Sequence, residues 1–76
     1  MVVFVVRRQG DGHIAEVNRT LEGAGRTLYG HGEGSFADGS PFTMESIRAK
    51  MEGSASIEIF YPEGDVLILE RHFVAG

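Results

Sequence analysis

Cysteine is absent from the 76 residues, so disulfide staples and thiolate–zinc clusters are both excluded. A chain this short buries only about 60% of the surface it exposes when unfolded, and its core must be thin. Thin, unstapled domains often gain stability from a second copy or a partner. Positive charge is scarce too: 7 basic residues stand against 11 acidic ones, for a net charge of −4. Nonspecific attachment to nucleic acid or anionic membrane rests on clustered positive charge, which this balance disfavours. No apolar run approaches the roughly 20 residues of a membrane-spanning helix. Met1–Val6 is apolar but too short for a signal-peptide core, and Arg7 and Arg8 follow it instead of preceding it. The expectation is a cytoplasmic protein without membrane association.

Motifs of known chemistry are also missing. The stretch RTLEGAGRTLYGHG, from Arg19 to Gly32, writes the phrase RTL-x-G-x-G twice and invites a phosphate-loop reading. A P-loop would place lysine and then serine or threonine after Gly30, but His31 and Gly32 stand there. A dinucleotide fingerprint would need a third glycine at position 28, which is leucine. The three histidines, His13, His31 and His72, show no metal-ligand spacing. Ser35, Ser40 and Thr43 lack a nucleophile-elbow context. The carboxylates Asp11, Glu33, Asp38 and Asp65 fall in turns, where acidic residues are routine. The expectation is therefore no catalytic site, no cofactor and no bound metal.

What is present is a folded chain of 42% hydrophobic residues. Val2–Arg8 is β-branched and apolar on both sides, as in a covered central strand. Turn residues Gln9, Gly10, Asp11 and Gly12 lead to a second strand over His13–Leu21, with Ala15, Val17 and Leu21 inward. The doubled phrase then reads as a hairpin: Gly23-Ala24-Gly25 reverses the chain, and Glu22 faces Arg26 across it. Gly30–Pro41, with four glycines, reads as a long mobile loop. A helix is expected from Met44 to Glu52. Thr43 is its N-cap, Phe42 and Ile47 form a staple, and Gly53 closes it as a C′ residue. Met44, Ile47 and Met51 make its inward stripe. Two further strands, Ser56–Tyr61 and Val66–Val74, flank a turn at Pro62-Glu63-Gly64-Asp65.

The expected fold is α+β in a single domain spanning residues 1–76. It has one mostly antiparallel sheet, one helix on one face and the order β-β-β-α-β-β. The most apolar strands, at the two ends of the chain, should be central and adjacent. One short helix covers only one sheet face, yet both end strands are apolar on both sides. A curled sheet, the glycine loop, a second subunit or a partner must shelter the rest. That surplus points to a non-enzymatic protein-binding module that occupies a partner's surface, with a possible homodimer through the sheet. Regulatory subunits, antitoxin-like partners and phage anti-defence inhibitors such as anti-CRISPRs are chains of this kind. The candidate contacts are Tyr29, His31, Glu33, Phe36 and Asp38 in the loop, and Phe60 on the sheet. The alternative is a single-stranded nucleic-acid-binding sheet, with Phe4, Phe60, Tyr61 and Phe73 stacking beside Arg7, Arg8 and Arg71.

Overall fold

The computed structural model describes residues 1–11 and 13–75, without the side chain of Ala15. Its four strands and two helices run β1 (Val2–Arg8), β2 (Ile14–Asn18), α1 (Leu21–Gly30), α2 (Met44–Gly53), β3 (Ser56–Phe60) and β4 (Val66–Phe73). The order is thus β-β-α-α-β-β, with two helices where the sequence reading gave one. The sheet is antiparallel throughout, in the order β2-β1-β4-β3. The apolar end strands β1 and β4 are the central neighbours, as their two-sided apolar character predicts.

The correction concerns the doubled phrase. Leu21–Gly30 is a helix, not a hairpin. Thr20 caps it, its hydroxyl accepting from the Gly23 N–H at 3.0 Å. Ala24 and Leu28 are fully buried and Leu21 packs against them, at the helical spacing i, i+3, i+7. The glycines do not turn the chain; they bring α1 close to its neighbours. A Cβ on Gly23 would lie 2.6 Å from Asn18 Oδ1, and one on Gly25 would overlap Met44 Sδ. Glu22 accordingly pairs with Arg48 on α2 at 3.0 Å instead of crossing to Arg26. Helix α2 matches its expected course. Thr43 and Ser46 form a reciprocal cap, and Ile47 and Met51 are buried. Its end differs by one residue: Gly53 is still helical, and extended Ser54 is the cap.

Register sorts the sheet into two faces. Val6, Leu69 and Ile57 form one row and Leu67 pairs with Ile59 beside it, all turned toward the helices. With Leu28, Ile47 and Met51 they make the core. Strand β2 inverts its expected sides. Glu16 accepts a hydrogen bond from Thr27 on α1 at 2.6 Å, while Val17 is exposed on the opposite face. The inversion follows from α1, which packs over this side of β2: Gly23 leaves room for Asn18, whose buried Nδ2 has no hydrogen-bond partner. Leu21 opens α1 and is not in the strand. Gly12 and the side chain of Ala15, both used in the sequence reading, lie outside the described residues; Gly10 does take a positive φ of 103°.

The segment between the helices is pinned. Ser35 exchanges two backbone hydrogen bonds of 2.8 Å with Phe60, and Phe36 and Phe42 are buried in the core. Gly34 sits where a Cβ would meet Ile59 at 2.7 Å, Tyr61 at 3.0 Å and Phe42 at 3.1 Å.

Two glycine substitutions should move stability in opposite directions. Gly30→Ala lies in helical backbone with open space around it and should stabilise by roughly 0.5 kcal/mol. Gly34→Ala forces a methyl among packed rings and should cost about 1–3 kcal/mol. Urea unfolding of both variants checks the pair; a destabilised Gly30→Ala would refute the helical assignment of α1.

Candidate functional site

Where the pinned segment meets the end of β3, the surface folds into a half-open groove of about 550 Å³. That volume falls within the range of roughly 300–1,000 Å³ usual for ligand clefts. Tyr29 from the last turn of α1, Phe42 ahead of α2, and Phe60 and Tyr61 at the end of β3 supply its aromatic lining. Tyr29 and Phe42 stack with centroids 4.7 Å apart and planes tilted by 32°. Pro41 and Pro62 also line it, and Glu33 is its one ionisable carboxylate.

The walls are stiff because they are also core. Tyr61 is only 5% exposed, and its hydroxyl donates to the Leu28 carbonyl at 2.7 Å, tying the end of α1 to the end of β3. Burial pushes this phenol up to about 12 from an ordinary value of 10.0. Behind it, His31 Nε2 meets Asp65 Oδ2 at 3.0 Å, and the imidazole packs edge-on against Tyr61 at 4.6 Å between centroids. Asp65 in turn accepts the Tyr61 N–H through its backbone carbonyl at 3.0 Å. His31 therefore braces the groove from behind.

The six residues singled out from the sequence take separate places. Tyr29, Glu33 and Phe60 come together in the groove, with Tyr29 47% exposed. His31 stands in the brace just described. Phe36 is turned into the core beneath Lys50, whose Nζ lies 4.7 Å from the ring centroid, so it offers no exposed anchor. Asp38 lies apart in an exposed turn, accepting from the Ser40 hydroxyl at 2.6 Å and the Ser40 N–H at 2.9 Å. The Ser40 hydroxyl holds its carboxyl below the usual carboxylate range. Phe42 and Tyr61 join the lining although nothing in the sequence marks them as protein contacts. Phe42 reads as a helix staple and is buried with Ile47 in the core; Tyr61 reads as a strand residue but lies just past β3, which ends at Phe60.

The second surface is the sheet face away from the helices. Val17, Val5, Glu70 and Ser56 form a row across it. Val3 and Ile14 add apolar area, with Ile14 54% exposed. Its middle is polar: Arg7 donates twice to Glu70, at 2.9 and 2.7 Å, and His72 Nε2 lies 3.1 Å from the same carboxylate. The hydrogen bond from Arg7 lowers the Glu70 pKa. The aromatics and arginines considered for nucleic acid are dispersed. Phe4 packs toward the helices, Arg71 donates to the Met51 carbonyl and Arg7 is committed to Glu70. Among the described residues, no three His, Asp or Glu side chains converge on a point where a metal ion could be held. Nor is any helix among them long and apolar enough to cross a membrane.

Comparison with known protein families, curated proteins and solved structures returns no match to this chain.

The Tyr61 brace has a pH signature. The neutral phenol stabilises the fold fully below pH about 10; that contribution falls as pH rises from about 10 to about 12, where the folded form ionises. Absorbance titration should show a late tyrosine ionisation near pH 12 that Tyr61→Phe abolishes. The same variant should lose about 1 kcal/mol in denaturant unfolding, the worth of one buried hydrogen bond. Retention of the late step in Tyr61→Phe would remove Tyr61 as its source.

Proposed function

We propose that this chain is a non-enzymatic protein-binding module that acts by occupying the surface of another protein, in a regulatory or inhibitory role. The observation that carries the reading is the aromatic groove at the end of β3, where Tyr29, Glu33 and Phe60 meet Phe42 and Tyr61. Aromatic side chains dominate the energetics of protein interfaces, because they bury large areas at low cost in conformational entropy. Rigid walls add to this, since little order has to be imposed on binding. The apolar parts of the open sheet face supply a second contact area, available to the same partner or to a second copy of the chain.

Nothing in the groove calls for turnover. Its tyrosine hydroxyls bond to backbone carbonyls, and its one carboxylate lacks a positioned partner among the described residues. Single-stranded nucleic acid would need stacking rings flanked by available cations. The arginines nearest the sheet aromatics are already engaged.

The test is affinity capture from lysate of cells that produce the chain, with Tyr29→Ala and Phe60→Ala in parallel. A defined co-purifying protein should be retained by the native chain, and retention should fall at least tenfold with Tyr29→Ala, the scale of an interface hot spot. Undiminished capture by both variants would take the groove out of the interface. Nuclease-sensitive capture of RNA or single-stranded DNA would favour the other class of partner.

A further inference from the structure

We infer that the groove receives a cationic side chain, a lysine ammonium or an arginine guanidinium, presented by the bound protein segment; this rests on reading the groove as a protein-binding site. The inference follows from what the groove offers and what it withholds. Several of its hydrogen-bond donors are missing or spent, and only the Ser35 hydroxyl and the Glu33 and Gly34 N–H groups make no hydrogen bond as donors among the described residues. Pro41 and Pro62 have no N–H to give. The N–H groups of Ser35 and Phe60 are spent on each other's carbonyls at 2.8 Å. The Tyr61 hydroxyl is committed to Leu28, and the Tyr29 hydroxyl leans toward the Phe42 carbonyl at 3.4 Å. A carboxylate or a phosphate entering this groove would shed water, meet the Glu33 charge and find only the Ser35, Glu33 and Gly34 donors in return.

What remains is attractive to positive charge. Four aromatic residues line the groove, and Tyr29, 47% exposed, is the ring most open to a cation. Glu33 is exposed, lies on the same groove and makes no ion pair among the described residues. It is also the one charged residue of the lining. A ring lining with a carboxylate beside it satisfies both halves of a long basic side chain, whose methylene stem packs on the rings while its head meets the charge. The same chain already makes such a contact internally, where Lys50 Nζ sits 4.7 Å from the Phe36 centroid. The net charge of −4 works in the same direction and speeds encounter with a basic segment.

A titration with two peptides isolates the charge. One is an alanine- and proline-framed heptapeptide with a central lysine; the other has norleucine there, which keeps the four-carbon stem and lacks the charged head. Isotope-edited NMR of the full chain should show shifts at the Gly34, Ser35 and Phe60 amides. The lysine peptide should bind roughly two- to thirtyfold more tightly than the norleucine peptide. Glu33→Gln should shrink that ratio, whereas Glu52→Gln, a carboxylate outside the groove lining, should leave it unchanged. Equal binding of the two peptides at the groove would overturn the inference and leave the protein-binding reading standing. Lysine-dependent shifts confined to other surfaces, or no shift with either peptide, would overturn it as well. Loss of groove-dependent capture is the separate result that would sink the underlying reading.

Discussion

Helix α1 reaches the sheet because Gly23, Ala24 and Gly25 put almost no side chain between it and its neighbours. This close approach is the constraint on which the remaining structure depends. Two helices of ten residues share one face of a four-stranded sheet, and a bulkier seam would lift one of them off. With the seam closed, Leu28 and Ile47 are both fully buried over Val6, Ile59 and Leu69. The cost is conformational: glycine within a helix gives up roughly 1 kcal/mol per residue against alanine. The Thr20 cap and the Glu22–Arg48 pair between helices help to offset it.

The groove is a by-product of how that helix ends. Once α1 stops at Gly30, the chain must cross to α2, and it does so by lying along β3. Gly34 passes between Ile59, Tyr61 and Phe42 because it has no Cβ, and Ser35 then pairs with Phe60. Aromatic residues brought in to complete a thin core thereby reach its edge and remain partly uncovered. Phe42 and Tyr61 thus belong both to the core and to the groove lining.

Much of this architecture was legible in the sequence. The adjacent central strands and the Thr43-capped helix follow from residue patterns with a single meaning. The exception was Leu21–Gly30. Its apolar positions at 21, 24 and 28 fit a helix, but glycines at 23 and 25 carry two meanings, chain reversal and close packing. Only the neighbours, Asn18 and Met44, decide between them. The same ambiguity reversed the sides of β2, since Glu16 bonds to Thr27 and Asn18 packs beside Gly23 on a helix the pattern did not disclose. For the site, exposed Tyr29 and Glu33 could be found as loop residues of suitable chemistry. Phe36 could not be told from them, because burial of a lone aromatic in a glycine-rich stretch depends on which side the loop is pinned. Phe42 and Tyr61 had evident structural roles and gave no reason to look for another.

The middle of the sheet joins the first strand of this sequence to the last, with Val2 opposite Phe73 and Arg8 opposite Leu67. A ribosome releasing the chain from its N-terminal end therefore exposes VVFVV long before its central partner exists. In that interval β1 has only the short β2 to lie against, and its other edge is open to any extended polypeptide nearby. Sequence-distant pairing of this kind slows folding through the entropy of closing so large a loop. An unpaired β1 edge during that interval is open to misassembly that the finished sheet, with β4 in place, no longer permits.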